Sequence, residues 1–406
     1  MPDDEKLVAV RAALPSLAAG IQLNTGSAGP MPAEAAAAMA ELMEYERTIG
    51  RSHFDYYLEG LERLDEARAG VAAVLGAELG SIALTHATTD GMNIGTWSLD
   101  WHPGDVAVTT TQEHAGALGP IYALRDRLGV EARFADIGDG SDDARTLEAF
   151  DRAIVPGTRL VSFSHVLWST GAVLPVARIA DLAHERGALV VVDGAQAAGA
   201  IPVSVTELHV DAYAVSGQKW LLGPEGTGAL WVAPGARDRM RPTFAGHFSF
   251  ASVDSRGGAT WHADGRRYEG SPFYRPAVVC MARAIGWLTM YVGLEYVHRR
   301  GPAVARGAAD ALVAIPGVEL LTPRHGMATL VTFRITGWGA QAALDELAAR
   351  TFVIARTIVA LDALRISPGF FTSTEELERF LDGVRLLAAH TPETLPPRRT
   401  LPIFGS

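Results

Sequence analysis

The sequence predicts an α/β protein with a large domain on a mainly parallel sheet, followed by a small α+β domain. Three observations predict it. A helical pattern over residues 176–186 runs into an apolar run at 188–192, and strand, helix, strand at such spacing is a βαβ unit. Thr88, His114, His165, Asp193 and Lys219 each stand just beyond an expected strand end, where ligands sit in open α/β sheets. A chain of 406 residues exceeds what one core organises, so two domains are expected.

The elements follow in order. Residues 23–32, LNTGSAGPMP, form a loop of turn residues ahead of an Ala- and Met-rich helix over 32–48. Leu58, Leu61, Leu64, Ala67, Val71 and Leu75 recur at helical spacing over 55–75, and Gly76 stops that helix. A strand at 82–84 turns into a helix through the hydroxyl-rich stretch 85–93. A β-branched strand at 105–111 ends in Gln112-Glu113-His114, a helical pattern starts at 117, and short strands follow at 132–137 and 160–164. In the helix at 176–186, Val176, Ile179, Ala180 and Ala183 share a face and Gly187 is the stop. After Ala233 the chain reads as irregular up to 272. A long helix over 276–292, carrying Cys280, is expected to bridge the two domains. Strands at 318–321, 328–335 and 364–367 with helices at 340–350 and 374–389 make the small domain, and 390–406 is a proline-rich arm.

Composition narrows the function. A formal net charge of −11 without long like-sign runs argues against nucleic acid or an anionic membrane as partner, since both repel an acidic protein. The single cysteine, Cys280, excludes an intramolecular disulfide and fits a reducing compartment. No charged leader opens the sequence and no apolar run reaches about 18 residues, so a cytoplasmic protein is expected.

The chemistry concentrates in 190–228, VVVDGAQAAGAIPVSVTELHVDAYAVSGQKWLLGPEGTG. Lys219, in Ser216-Gly217-Gln218-Lys219-Trp220 beside a glycine-rich run, suits a Schiff-base lysine for pyridoxal 5'-phosphate (PLP), and Asp193 suits the partner of its pyridine nitrogen. The plainer alternative is a solvated lysine and a turn aspartate. Amides at the helix start with the Thr88 and Thr89 hydroxyls could cradle a phosphate, although Thr-Thr-Asp is equally an ordinary helix cap. His114 could stack on a cofactor ring or be a structural histidine.

Together the motifs Ser98-Leu99-Asp100-Trp101-His102, Glu113-His114, the run from Ser164-His165-Val166-Leu167-Trp168-Ser169 to Pro175, and Asp193-Gly194-Ala195-Gln196 resemble the class V aminotransferase family of fold-type I PLP enzymes. That group includes cysteine desulfurases, isopenicillin N epimerases and cystine or cysteine C–S lyases, and the resemblance is nearest to the lyases. It covers about residues 23–387 and implies a seven-stranded sheet. It also implies a large PLP-binding domain over 21–275 after an N-terminal segment, 1–20, and a bridging helix with the small domain over 276–389. It assigns Lys219, His114 and Asp193 to catalysis. Thr88, Thr89, His114, Asp193, Gln196, Ser216, Gln218 and Lys219 would bind the cofactor, with Ser271 reaching the phosphate of a neighbouring subunit in a homodimer. Arg356 and Arg365 would bind the substrate carboxylate, with Asn24 and Trp168 also at the substrate; no metal ligand is assigned.

Two departures bear on the reaction. Desulfurases that keep sulfur as a persulfide use a loop cysteine before the arginine strand, and residues 351–363 contain none. Residues 368–372, PGFFT, differ from the lyase pattern. The implied activity is C–S β-elimination on cysteine, cystine or an S-conjugate. Transamination, epimerisation or decarboxylating deamination in secondary metabolism, including antibiotic biosynthesis, are other fates of the same bound amino acid. A PLP-fold protein without chemistry is opposed by intact Lys219, Asp193 and His114. No Gly-x-Gly-x-x-Gly fingerprint supports a dinucleotide oxidoreductase.

Overall fold

Apolar runs buried on both faces make most of the central sheet, whose edge strand at Glu131–Ala135 is partly exposed. The computed structural model describes residues 3–398; residues 1–2 and the end of the expected arm, 399–406, lie outside them. The seven strands are β1 Ile82–Thr85, β2 Val106–Thr110, β3 Glu131–Ala135, β4 Thr158–Ser164, β5 Leu189–Asp193, β6 Ala212–Ser216 and β7 Gly228–Val232. Their order across the sheet is β1-β7-β6-β5-β4-β2-β3. Only β7 runs against its neighbours, so the other six point one way and end on one edge. Along β5, Val190 and Val192 enter one hydrophobic cluster while Leu189 and Val191 enter the other. Alternate side chains leave opposite faces of a strand, and both faces here are covered, which is why the run lacks polar alternation.

Helices α1 Asp3–Ala12, α2 Ala33–Thr48 and α3 Phe54–Leu75 precede this sheet in the chain, and α4 Thr88–Trp97, α5 Ala115–Leu128, α6 Asp143–Ala153 and α7 Val176–His184 connect its strands. Strand β7 and helices α1 and α6 go beyond the expected elements. Gly228-Ala229 reads as loop until the run is paired on both sides with β1 and β6. Helix α6 is signalled by Asp142, whose carboxylate accepts from the amides of Ala144 and Arg145 at 2.8 and 3.1 Å. The stretch after Ala233 is not wholly irregular, because Phe250–Val253 and Ala259–Trp261 pair as a hairpin.

The helix expected over 276–292 is present, although its last turns are π-helical. Helix α8 Arg275–Gly286 passes into a π-helical turn, Trp287–Val292, and then bends by 88° into α9 Leu294–Val313. Gly293 makes the break at φ 83°, a left-handed conformation that glycine tolerates and a helix does not continue through. Helix α9 escapes sequence reading because Gly301 and Pro302 lie inside it and normally signal a stop. Among the described residues no single helix is long and apolar enough to cross a membrane.

A second sheet follows, β8 Val318–Leu320, β9 Val331–Ile335, β10 Arg356–Ile358 and β11 Ala363–Ile366, in the antiparallel order β8-β9-β11-β10. Helices α10 Ala340–Thr351 and α11 Thr374–Ala388 cover it, with Phe333, Leu347, Leu364 and Phe380 in the shared core. Ser373 and Glu376 close a reciprocal capping box at the start of α11. Ile21 and Leu23 pack into the same core, and from there the loop at 24–29 crosses to the edge where the parallel strands end.

Candidate active site

Six parallel strands ending together bring residues far apart in sequence to one rim. Asp193 closes β5, Lys219 follows β6, Thr88 opens α4 after β1, His114 opens α5 after β2, and Trp168 follows β4. The loop at 24–29 seals this rim against the second sheet. Gly26 donates from its amide to Ser367 Oγ at 2.9 Å, and Gly29 donates to the carbonyl of Gln218 at 2.8 Å. A Cβ at Gly29 would overlap the Lys219 carbonyl, so only glycine lets the loop lie this close.

Asp193 is buried, and one carboxylate oxygen accepts from the Ala195 amide at 2.9 Å. The other oxygen makes no hydrogen bond among the described residues. Beside it a Cβ at Gly194 would overlap the Tyr213 ring. Tyr213 is fully buried and its hydroxyl meets His165 Nδ1 at 2.8 Å. Burial pulls His165 down to about 4, so it is a neutral histidine packed edge-on against the Tyr213 ring.

Burial holds the Lys219 amine below the ordinary lysine range; Arg365 and Arg356 push the same way and Asp193 opposes them. A lysine so placed has a larger neutral fraction, the form that is nucleophilic and basic. His114 Nδ1 accepts from the Gly116 amide at 3.1 Å, which leaves the neutral ring's proton on Nε2. Desolvation and the nearby Lys219 hold His114 below the usual histidine range. Its ring meets Trp168 edge-on at 5.3 Å, so Trp168 fixes the ring's tilt while a face stays free.

The helix α4 has no side-chain cap, and Thr88 Oγ1 is buried without a hydrogen-bond partner. An uncapped helix start with an unpartnered hydroxyl offers donors that suit an anion. Thr89 is exposed at the same turn, next to Gly116. Ser216 donates to Gln218 Oε1 at 2.5 Å, which leaves the Gln218 amide nitrogen free. Gln196 is locked by Trp220 Nε1 donating to its oxygen and by its own nitrogen donating to the Gly26 carbonyl, both at 2.9 Å. One amide N–H of Gln196 remains to give.

Arg365 is 1% exposed, the largest fully buried side chain among the described residues. Its Nη1 donates to the Trp168 carbonyl at 2.9 Å, and Nε is buried without a partner. Burial, with Arg356 beside it, pulls Arg365 down to about 9, still cationic at neutral pH. Arg356 stands over the Trp168 ring at 5.8 Å. Asn24 bridges to Ser367 and its Oδ1 is likewise buried without a partner. Within one chain the structure does not bring Ser271 to this rim. It is exposed in a separate cleft with His86, Asp90, Asn93 and Phe273.

Sequence reasoning overlooked Glu113 and Ser27. Glu113 is buried where β2 and β4 end, and it accepts from Thr110 Oγ1 at 2.7 Å, Ser164 N at 3.1 Å and Ser164 Oγ at 2.5 Å. A carboxylate directly after a buried strand was its available signal. Burial pushes Glu113 up to about 7 from 4.5, and Asp193 adds to the rise. The folded state therefore holds this proton longer than the unfolded chain, so the group's contribution to stability falls as pH rises from about 4.5 to 7 and is flat above. Glu113→Gln should remove that fall, read as a smaller loss of urea midpoint between pH 5 and pH 7.5 than in the wild type. An equal loss in both proteins would place the titration elsewhere.

The profile of the aminotransferase class-V family matches residues 23–380. The chain belongs to the class V aminotransferase family. It is 30% identical to isopenicillin N epimerase of Streptomyces clavuligerus over 390 residues, covering 90% of this chain and 94% of the relative. A solved structure of a lysine-to-alanine variant of C-DES, with glycine covalently linked to its PLP cofactor, superposes with a TM-score of 0.87 at 28% identity, covering 92% of this chain and 98% of that one. The complex of the cystine C–S lyase C-DES with its reaction product cysteine persulfide gives 0.86 at 28%, covering 93% and 100%. The class V member described here is accordingly a PLP-dependent enzyme of fold type I. Its own residues fit the cofactor: the orphaned Thr88 hydroxyl at an uncapped helix start suits the phosphate, Asp193 offers a free carboxylate oxygen, and Lys219 is a buried amine.

Proposed function

We propose that this class V enzyme is a C–S β-lyase acting on cysteine, cystine or a cysteine S-conjugate. The observation that carries the reading is a buried lysine near two arginines that have no carboxylate partner among the described residues, with no thiol beside them. Residues 351–363 lack cysteine. Cys280 is fully buried on α8 with Ala35 and Ala284, its Sγ 3.5 Å from Met31 Sδ, and burial pushes its thiol up to about 11. Without a thiol to receive sulfur, elimination is the simplest route for a cysteine-type ligand.

When bound, PLP supplies an electron sink for charge developing at the substrate's Cα. Lys219 would carry the cofactor and then, freed by the incoming amine, take the Cα proton at Nζ. Asp193 would hold the pyridine nitrogen, Gln196 the phenolic oxygen, and His114 the ring face. Thr88, Thr89, Ser216 and Gln218 would hold the phosphate, and Ser271 would reach that of a partner subunit in a homodimer. Arg365 would orient the substrate carboxylate, with Asn24 and Trp168 shaping the pocket. The C–S bond then breaks with its electron pair on sulfur, and addition of one water overall gives pyruvate, ammonia and a thiol or persulfide.

A second reading, epimerisation, is supported by the similarity to isopenicillin N epimerase; it shares the Cα deprotonation and returns the proton to the opposite face. Incubation with a panel of amino acids and S-conjugates, with products identified by mass, should give pyruvate and a free thiol. Cys280→Ser should turn over nearly as the wild type does, because a buried, protonated thiol packs rather than reacts. A folded, cofactor-bound Cys280→Ser that is inactive would contradict elimination without a protein thiol.

A further inference from the structure

We propose that Thr332 is a positioning residue for the cofactor: from the second sheet it holds residues 168–171 so that the Trp168 ring sets the tilt of His114. The inference rests on the reading that His114 faces the cofactor ring, and it concerns how that histidine is held. Four successive carbonyls of this segment each accept one hydrogen bond from residues 322–365. Trp168 accepts from Arg365 Nη1 at 2.9 Å, Ser169 from Thr332 Oγ1 at 2.7 Å, Thr170 from Thr322 Oγ1 at 2.6 Å and Gly171 from the Ala328 amide at 3.0 Å. Gly171 has φ 79°, and a Cβ there would overlap the Leu330 carbonyl, so main chain lies directly against main chain. Two side chains tie the same segment to the first sheet. Ser169 Oγ donates to Gln112 Oε1 at 2.8 Å, and the Trp168 ring meets His114 edge-on. Gln112 and His114 flank Glu113 in the turn after β2, so the segment joins the second sheet to that turn at two points.

Thr332 is the centre of this attachment. It lies on β9 as the register partner of Arg365 on β11, and the two side chains take adjacent carbonyls. Its amide donates to Thr322 Oγ1 at 2.7 Å, which leaves that hydroxyl's proton for Thr170. Thr332 is fully buried, as are Ser169 and Thr170 nearly so. A buried carbonyl deprived of its donor is costly, so without the Thr332 hydroxyl the segment must shift or keep an unpaired group. Arg365 cannot hold the segment alone, because its guanidinium is also the group read as the partner of the substrate carboxylate. Thr332 Oγ1 makes no other hydrogen bond among the described residues, and its hold on Ser169 therefore does not compete with a ligand.

The test reads the circular dichroism of the cofactor's visible band in the holoenzyme, which reports the ring's asymmetric surroundings, together with the urea midpoint. Thr332→Val keeps nearly the same shape without the donor, and it should lose ellipticity relative to the absorbance of the same band. Thr332→Ser keeps the donor and should restore it. A role in stability alone would lower the urea midpoint of Thr332→Val and leave the band unchanged; that result would overturn the proposal, as would a loss that Thr332→Ser does not restore. If Thr332→Val does not fold, Ser169→Ala decides, since it cuts the tie to Gln112 and leaves the second sheet intact. Its band should also lose ellipticity, and an unchanged band would count against the proposal. His114→Ala separates the reading from the inference built on it. A wild-type band in His114→Ala would remove the placement of His114 on the ring, and the proposal with it. A changed band there, beside a wild-type band in Thr332→Val, would reject Thr332 alone.

Discussion

Lys219→Ala is expected to fold and to lose turnover by about 10²- to 10⁴-fold or more, the range a positioned acid–base group contributes before its role as covalent anchor is added. The fold should survive because the neighbouring loop docks on the main chain here: the Gly29 amide reaches the Gln218 carbonyl, and the glycine lies against the Lys219 carbonyl. Both survive truncation of the side chain. The amine itself has no competing ion pair among the described residues, and burial keeps it below the ordinary lysine range. In the wild type, borohydride reduction should fix the pyridoxyl group to the Lys219 peptide. An adduct on another lysine, or a Lys219→Ala protein with full turnover, would remove the assignment.

Arg365→Ala is expected to cut kcat/KM by about 10- to 100-fold, corresponding to roughly 1.5 to 3 kcal/mol for a hydrogen bond to a charged group. Cofactor retention should change little, since the arginine lies on β11 of the second sheet while the start of α4 is the place proposed for the phosphate. Arg365 also holds the Trp168 carbonyl, and Trp168 in turn contacts His114, so part of the loss should appear in kcat. Arg365→Lys should recover only a fraction, because an ammonium cannot hold the carbonyl and a bidentate carboxylate at once. Full affinity for amino acids in Arg365→Ala would place the carboxylate elsewhere.

The rim was legible in the sequence where strand ends carry polar residues. Asp193, Lys219, Thr88 and His114 each follow a buried apolar run, and the pattern itself says they share an edge. The second sheet's contribution was not legible in that way. That Arg365 lies under Trp168, and that Ser27 stands between two arginines, depends on a register between β10 and β11 and on a loop some 340 positions distant along the chain; neither leaves a local pattern. Glu113 was hidden for a different reason. A carboxylate beside a histidine looks like an ordinary solvated side chain until tertiary packing buries it between two strand ends. The missed helix α9 shows local propensity overridden by packing: Ala305, Ala308, Ala309 and Leu312 are buried on one face, which stabilises a helix that Gly301 and Pro302 argue against.

The most direct test of C–S elimination follows one S-substituted cysteine in heavy water, counting pyruvate, thiol and recovered substrate. The lyase reading predicts pyruvate and thiol in equal amounts, with recovered substrate still of the L configuration. Recovery of the D enantiomer carrying deuterium at Cα, with no thiol released, would contradict it and make the enzyme an epimerase.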